Sequence, residues 1–368
     1  MQDSMNRRGF LALGAAACLP GKAEVREYRR GGMVYRRLGR TGVFVSLLGY
    51  GSHTDYRYRL RAPWGSVLNE EGQRRRDRQI SRAIDLGVSM IDVYQDCGQW
   101  EPMAQLARGR RDRLVLSLKK EFPGPTADVI DNGCRLFGYM DLFRFVIYDT
   151  KELTQRTIER WDVVRKAKEA GKIRAIGIAT HDPDIMVRAI RELEGLDFIF
   201  FPYNFIHDRV AYSEFLPLAV KHEIGLLAMK PLGTGSITKL DSRRPRPDAK
   251  PEGETLALNL GNLRERTPML AEAVTALTQE LDRAPEETLA QAALRFLFSK
   301  PYLTCALPGM WLDEEVEENY LALATYASGR AASTGVIKAA SAVASAAGPS
   351  WLPAEYRWLD RRWRRSES

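Results

Sequence analysis

The sequence predicts an α/β protein, a (β/α)8 TIM barrel with a C-terminal helical extension, and three observations support this prediction. Short apolar runs alternate with longer segments of helical period along most of the chain. No Gly-x-Gly-x-x-Gly motif follows the first run, which disfavours an open dinucleotide-binding sheet. The 368 residues accommodate a barrel of roughly 250 residues with extensions. We expect a leader over 1–23, the barrel over 33–328 and the extension over 329–368.

Eight apolar runs bounded by Gly, Pro or Asp are the predicted barrel strands, and amphipathic segments lie between them. Gly87, Gly171 and Gly225 are expected to end helices, because glycine adopts the left-handed conformation at little cost. The predicted strands are 45–51, 88–92, 114–119, 140–147, 174–178, 198–201, 225–229 and 304–307. The clearest predicted helices are 154–170, 184–193, 213–222 and 286–298.

Two stretches interrupt the alternation. Residues 240–262 are rich in Pro, Arg, Asp and Gly and are predicted to form a long loop after the seventh strand. Loops of this length in compact domains are usually lids, binding loops or disordered segments. Beyond the barrel, 331–347 is predicted to be a helix of small residues and 351–365 an aromatic and basic tail.

The first residues have the features of an export signal. Arg7 and Arg8 precede a mildly apolar run over 10–19, which contains an alanine triplet at 15–17. A basic start, a short apolar stretch and a small-residue cleavage site predict export, and the paired arginines resemble the twin-arginine type. The run is shorter than the roughly 20 apolar residues that span a bilayer. We therefore expect a periplasmic protein, with simple cleavage favoured over lipid attachment at Cys18.

Composition restricts the class of partner. A chain with 45% hydrophobic and 28% charged residues is typical of a soluble globular protein, which excludes disorder and collagen. The net charge of +8 is concentrated near both ends, without the module that nucleic-acid binding requires, and suits solvent or an acidic membrane surface. Four cysteines and four histidines at unsuitable spacings predict neither a disulfide framework nor a metal site. The expected partner is a small-molecule substrate.

Polar residues that close the apolar runs are the candidates for chemistry, because active sites of such barrels lie at the C-terminal ends of the strands. Asp92 and Lys119 end neighbouring predicted strands and are expected to face each other over the barrel mouth. Such a pair either tunes a nearby proton donor or is a plain buried ion pair. The other candidates at strand ends are Asp149, Thr180, His181, Asn204, Lys230 and Gly309.

Nine sequence blocks occur in the order found in one enzyme family. They include YRRLGRTG at 35–42, GVSMID at 87–92, YMDL at 139–142, GKIRAIGI at 171–178 and KPLG at 230–233. From about 33 to 323 the chain thereby resembles the aldo-keto reductases. The resemblance implies a barrel that binds a nicotinamide dinucleotide, NAD or NADP, across its mouth. It also implies an oxidoreductase that transfers hydride between this cofactor and a carbonyl or alcohol.

The catalytic positions implied by the resemblance are matched in part. Asp92 and Lys119 carry over from the family pattern. The family's tyrosine, five positions after the aspartate, is Cys97 in this chain. The family's histidine falls on Val146, whose side chain can neither donate nor accept a hydrogen bond.

A replacement for the missing proton donor is therefore expected near the mouth. Cys97 is either an inert core cysteine or, as a thiolate, a nucleophile. The phenols of Tyr94 and Tyr148 lie close to the altered positions in the sequence, and we expect Tyr94 to be the acid.

The cofactor positions implied by the resemblance are also mixed. Phe200 replaces the usual glutamine, and carboxylates at 313–315 stand where NADP-preferring relatives carry basic residues, which favours NAD. Backbone amides at 232–235 either cradle the pyrophosphate or form an ordinary turn. The expected cofactor-binding residues are Thr180, Asn204, Lys230, Leu232, Gly233, Gly309, Glu318 and Asn319.

Two functions from different classes follow from the sequence. The first is an exported oxidoreductase with an altered proton relay. The second is a catalytically inactive barrel that kept Asp92 and Lys119 for structure and binds a ligand or cofactor, since fold alone does not determine function.

Overall fold

The computed structural model describes residues 26–60, 67–95, 98–119, 125–147, 152–204, 214–233, 238, 241, 279 and 283–327. These ranges open with a small antiparallel sheet that the sequence analysis did not predict. Its strands are β1 (Glu27–Arg30), β2 (Met33–Arg37) and β3 (Phe44–Ser46).

Seven parallel strands form the main sheet, in sequence order from one edge to the other. This arrangement confirms the predicted barrel class, because consecutive parallel neighbours require a crossover after every strand. The strands are β4 (Met90–Tyr94), β5 (Val115–Lys119), β6 (Met140–Ile147), β7 (Ile173–Thr180), β8 (Phe198–Pro202), β9 (Gly225–Met229) and β10 (Cys305–Leu307).

The segment 47–51 closes the barrel between its two edge strands. Leu48 bridges Ala306 of β10, and Tyr50 bridges Ile91 of β4, both in parallel. The Tyr50 amide donates to the carbonyl of Met90 at 2.9 Å, and the Asp92 amide donates to the carbonyl of Tyr50 at 2.9 Å. The predicted first strand therefore divides, since its beginning pairs with β2 and its end completes the barrel.

Eight helices in the described ranges cover the outside of the sheet. Several begin at polar caps, as at Thr154, whose hydroxyl accepts from the Thr157 amide at 3.2 Å. The helices are α1 (Glu70–Asp85), α2 (Trp100–Leu106), α3 (Thr126–Phe137), α4 (Gln155–Glu169), α5 (Pro183–Glu192), α6 (Phe215–Lys221), α7 (Leu289–Phe298) and α8 (Asp313–Ala327). Four of them agree with the four clearest predictions to within a few residues.

The barrel interior is apolar at its N-terminal end, which we call the floor. Leu38, Val43 and Val45 of the N-terminal segment pack there against Met90 and Val115, which begin β4 and β5. The floor is thus closed by hydrophobic side chains, and the opposite end of the strands, the mouth, is left for polar residues.

One predicted helix end is wrong in its residue. Gly87 and Gly171 have positive φ, of 96° and 75°, as expected. After α6 the left-handed residue is Glu223, with φ 50°, and not Gly225. Gly225 is needed for space, because a Cβ there would lie 2.3 Å from the side chain of Leu38.

The predicted long loop over 240–262 lies outside the described residues apart from Asp241, and the extensions over 331–347 and 351–365 lie outside them entirely. Within the described ranges, no helix has the length and apolar character needed to cross a membrane.

Candidate active site at the barrel mouth

Three polar side chains form a row across the first strands of the barrel. Tyr94 of β4 pairs in register with Lys119 of β5, and Lys119 pairs with Arg144 of β6. One layer closer to the floor, Asp92 pairs in register with Ser117. Because register partners on neighbouring parallel strands point to the same face, these side chains share the barrel interior.

Asp92 forms its ion pair with Arg144, which corrects the expectation that it would face Lys119. Two guanidinium nitrogens meet its two carboxylate oxygens, with Nη1 2.6 Å from Oδ1 and Nη2 3.0 Å from Oδ2. Arg144 also donates to the hydroxyl of Ser117 and lies over the ring of Phe200, with Cζ 4.1 Å from the ring centroid. Both members of the pair are buried, so the bidentate geometry compensates charges that solvent does not reach.

Sequence reasoning missed Arg144, although the sequence carried a signal. A single arginine interrupts the apolar run of β6, at a position that alternation places inside the barrel. A buried arginine requires a carboxylate partner, and Asp92 was the candidate in the neighbouring layer of the barrel.

Lys119 lies against the face of Tyr94. Its Nζ is 3.9 Å from the ring centroid, within the range of a cation–π contact. Lys119 is 3% exposed, whereas Tyr94 is half-buried. The ammonium group therefore stands next to a phenol at the barrel opening.

Lys230 and His181 form a second polar pair at the mouth. Lys230 directly follows β9 and His181 directly follows β7, and their Nζ and Nε2 atoms are 2.8 Å apart. Burial and the positive charge of Lys119 lower the pKa of Lys230 from 10.5 to about 7. Two lysines and a histidine from three strands thus stand close together.

The backbone of Lys230 is held in a strained conformation. Its φ is 55°, in the left-handed region that costs a residue with a Cβ on the order of 1 kcal/mol. Its carbonyl accepts hydrogen bonds from the Asn204 side-chain amide and from the Gly233 backbone, both at 3.0 Å. Such strain is concentrated at functional sites, where surrounding contacts maintain it.

His53 adds a further basic group, which the sequence analysis did not assign to the site. It follows the closing segment of the barrel, and its ring centroid is 5.9 Å from that of Tyr94. Burial and the nearby cations, first Lys230 and then Arg59, lower its pKa to about 3. His53 is therefore neutral at physiological pH.

The residues expected to bind a cofactor lie around the same mouth. Thr180 ends β7 and is fully buried, and its hydroxyl accepts from the Asp182 amide at 3.2 Å. Gly309 follows β10, and a Cβ there would meet only the Trp311 indole nitrogen, at 4.0 Å. Leu232 is partly buried against the core.

Helix α8 contributes the last expected cofactor residues, Glu318 and Asn319. Asn319 is 2% exposed, yet none of the hydrogen bonds within the described ranges uses its side-chain amide. An amide that makes no hydrogen bond within these ranges has its donor and acceptor available, which makes it a candidate ligand-binding group.

The carboxylates at the start of α8 make contacts within the protein. Glu315 accepts from the Trp311 and Leu312 amides, at 2.6 and 3.3 Å, and so caps the helix. Asp313 accepts from Gln79 at 3.0 Å and lies 3.5 Å from a guanidinium nitrogen of Arg78. Two of the three carboxylates that favoured NAD therefore have structural partners.

The structure describes some of the remaining positions that the sequence analysis singled out, and others lie outside the described ranges. Val146 is half-buried and packs with the interior cluster, and Phe200 is buried beneath Arg144. Cys97, Tyr148 and Asp149 lie outside the described residues, as do positions 234 and 235 of the glycine-rich turn. In the described part of the chain, no cluster of three His, Cys, Asp or Glu side chains could hold a metal ion.

Comparisons with a family model and with known proteins agree on one family for this chain. A model of the aldo/keto reductase family matches residues 60–328. The L-glyceraldehyde 3-phosphate reductase of Escherichia coli K12 is 27% identical over 333 residues, which span 80% of this chain and 89% of that protein. A probable voltage-gated potassium channel subunit beta of Arabidopsis thaliana is 25% identical over 322 residues, spanning 79% of this chain and 91% of that protein.

Solved structures share the fold. The holo form of aldo-keto reductase AKR11C1 from Bacillus halodurans superposes with a TM-score of 0.58 at 18% identity, covering 84% of this chain and 95% of the other. An aldo/keto reductase from Klebsiella pneumoniae, in complex with NADP and acetate, has a TM-score of 0.53 at 22% identity, with 78% and 89% covered.

Proposed function

Because the chain belongs to the aldo/keto reductase family, we propose that it is a nicotinamide-dependent oxidoreductase that interconverts a carbonyl and an alcohol. Tyr94 is the proton donor in this proposal, and Lys119 is the residue that assists it. The observation that carries the proposal is the position of the Lys119 Nζ, 3.9 Å from the centroid of the Tyr94 ring at the mouth.

The chemistry of this pair follows from its charges. As Tyr94 gives its proton to the alkoxide that develops on the substrate, negative charge grows on the phenol oxygen. The ammonium group of Lys119 stabilises that charge, with little screening because it is buried. Asp92 acts one layer below by fixing Arg144, so that the guanidinium stays paired and the row of side chains keeps its geometry.

The residues around the mouth fit a nicotinamide dinucleotide. The side-chain amide of Asn319 offers both a donor and an acceptor to a base edge, and the open face of Gly309 leaves room for a ligand to approach the backbone. Asn204 fixes the turn after β9 that carries Gly233. When bound, the nicotinamide supplies or accepts the hydride at the substrate carbon.

The preference for NAD over NADP stays a prediction of the sequence. The Klebsiella relative is in complex with NADP. In this chain, the acidic side chains of Asp313 and Glu315 stand at this position and also bind internal partners, and repulsion of a 2′-phosphate by them is still expected. Titration with both nucleotides decides between them.

One observation favours the second function, a barrel that binds ligand without redox chemistry. The carboxylate of Asp92 is fully engaged by Arg144 and not by Lys119. In that case Asp92 and Arg144 are structural, and a ligand or cofactor binds without turnover.

The test uses the purified protein, NADH, NADPH and a panel of aldehydes and ketones. We expect saturable quenching of tryptophan fluorescence by a nucleotide and carbonyl-dependent nucleotide oxidation. Tyr94→Phe should lower kcat by about 10²- to 10⁴-fold, the usual contribution of a general acid, and leave nucleotide affinity unchanged. Tyr28→Phe, on the exposed β1, is the matched control. Binding without turnover supports the second function. Absence of nucleotide binding at millimolar concentration refutes the oxidoreductase and leaves a barrel that binds a different ligand.

We also propose that the protein is exported through the paired arginines, and that its basic ends face solvent or an acidic membrane surface. The segment 1–25 lies outside the described residues, so this proposal depends on the sequence. Replacing both Arg7 and Arg8 by Lys should retain the protein in the cytoplasm in a fractionation experiment. An unchanged distribution between fractions would refute the twin-arginine route.

A further inference from the structure

We propose that Lys230 is a nucleophilic amine that forms an imine with small aldehydes or ketones at the barrel mouth, with His181 as its proton-transfer partner. This activity is separate from hydride transfer and needs no nicotinamide cofactor. It is carried by the position of Lys230 at the open end of the barrel and by the 2.8 Å contact between its Nζ and the Nε2 of His181.

The position of Lys230 fixes its amine at the open end of the barrel. The residue follows the C-terminal end of β9, at the end of the barrel where such folds carry their chemistry. The residue as a whole is partly exposed, so in this proposal small molecules approach it from the mouth. Its left-handed backbone is held by the hydrogen bonds of its carbonyl to Asn204 and Gly233.

Burial and the groups that face Lys230 keep a large fraction of its amine uncharged near neutral pH. Burial, and then the charge of Lys119 on β5, lower its pKa to about 7, and a lysine that is desolvated or placed next to another cation is a recognised form of activated nucleophile. His181 on β7 contacts it directly, and His53, whose pKa is lowered to about 3, adds no positive charge at this pH. About half of Lys230 is therefore neutral at pH 7, against roughly one in 2,500 for a lysine of ordinary pKa near 10.4.

The reaction balances without any oxidant or reductant. The lone pair of Nζ attacks the carbonyl carbon, and a C–N bond forms while the carbonyl π-electrons move to oxygen. The two Nζ protons pass in turn through the Nε2 of His181 to this oxygen, first giving a hydroxyl group and then water, and the water leaves as the C–O bond breaks. A C=N bond remains, and addition of water reverses the sequence.

The test traps the imine in the full-length protein without nucleotide. Protein at pH 7 is treated briefly with propanal and cyanoborohydride, and the alkylated lysines are located by peptide mass spectrometry. We expect Lys230 to be alkylated on the order of 10²- to 10³-fold faster than Lys172, which is exposed and whose pKa its hydrogen bond to Asp131 raises. This comparison within one chain requires no variant.

Variants separate the chemistry from simple accessibility. Lys230→Arg keeps the positive charge and should abolish the fast alkylation, whereas Lys172→Arg should leave it unchanged. Lys119→Gln removes the neighbouring charge and should shift the pH profile of alkylation at Lys230 upward. Alkylation of Lys230 no faster than that of Lys172, or a pH profile that does not move in Lys119→Gln, would overturn the proposal. Neither result depends on whether the protein reduces carbonyls.

Discussion

The floor and the mouth of the barrel differ in how their buried charged side chains are arranged. At the floor, the fully buried Asp141 begins β6, where its carboxylate lies 2.7 Å from Arg111 and 2.9 Å from Arg174 and accepts from the Leu116 amide at 3.0 Å. At the mouth, Lys119 and His181 stand close to Lys230, and burial together with the charge of Lys119 lowers the pKa of Lys230. Charges of opposite sign meet at one end of the strands, and basic groups gather at the other.

This difference shows what each end contributes to the molecule. Paired and hydrogen-bonded charges hold neighbouring strands in register and stabilise the fold. Gathered basic groups destabilise it, because each makes the charged form of its neighbour less favourable, and they persist where chemistry uses the altered pKa values. The Asp92–Arg144 pair lies between the two ends and supports the mouth from below.

The largest expected effect comes from breaking this intermediate pair. Asp92→Asn leaves the charge of Arg144 buried without its carboxylate, so the free energy of unfolding should fall by about 4 kcal/mol. Urea denaturation followed by circular dichroism measures the change. The double variant Asp92→Asn/Arg144→Met removes the stranded charge and should recover at least half of the loss. A loss below about 1 kcal/mol in the single variant would show that the pair does not support the mouth.

Breaking a pair at the floor should cost slightly less and leave the chemistry intact. Asp141→Asn should lower the free energy of unfolding by about 3 kcal/mol, because Arg111 and Arg174 are partly solvated and lose less when stranded. Its propanal alkylation at Lys230 should equal that of the parent protein. A floor variant that changes the reactivity of Lys230 would contradict the separation of the two ends.

The sequence predicts the barrel better than the contents of its mouth, for a physical reason. Strand bounds such as 140–147 and 225–229 match the structure because apolar runs and their breaks are local signals. The partner of Asp92 is not a local property, since Arg144 lies 52 residues away and becomes its neighbour only when the strands align. The N-terminal sheet was missed because two of its short strands are rich in arginine and lack an apolar run. Arg36 is buried only because its guanidinium donates to backbone carbonyls at the end of α7, which are distant in the sequence.

The titration of Lys230, a residue of the mouth, should make the free energy of unfolding depend on pH. The pKa of Lys230 is lowered from 10.5 in the unfolded chain to about 7 in the folded protein, so the unfolded chain binds more protons between these pH values. The free energy of unfolding is therefore reduced by the full amount below pH 7, and this reduction disappears as the pH rises toward 10.5. Lys230→Met should therefore raise the free energy of unfolding by about 2 kcal/mol more at pH 6.5 than at pH 10, allowing for partial solvation. Urea titrations of both proteins at the two pH values measure this difference. Equal differences at both would show that Lys230 has an ordinary pKa.

The smallest expected effect is at Asn204, and it tests whether the strained backbone serves the amine. Asn204→Ala removes the side-chain hydrogen bond to the Lys230 carbonyl and should cost about 1 kcal/mol of stability. Asn132→Ala, which removes an amide that accepts from Arg135 on α3, is the matched control for losing a hydrogen bond. Because Gly233 alone would then hold the left-handed turn, alkylation at Lys230 should slow several-fold in Asn204→Ala and stay unchanged in the control. If stability falls while alkylation keeps its rate, the fixed backbone stabilises the fold only, and the reactivity of Lys230 comes from its charged neighbours.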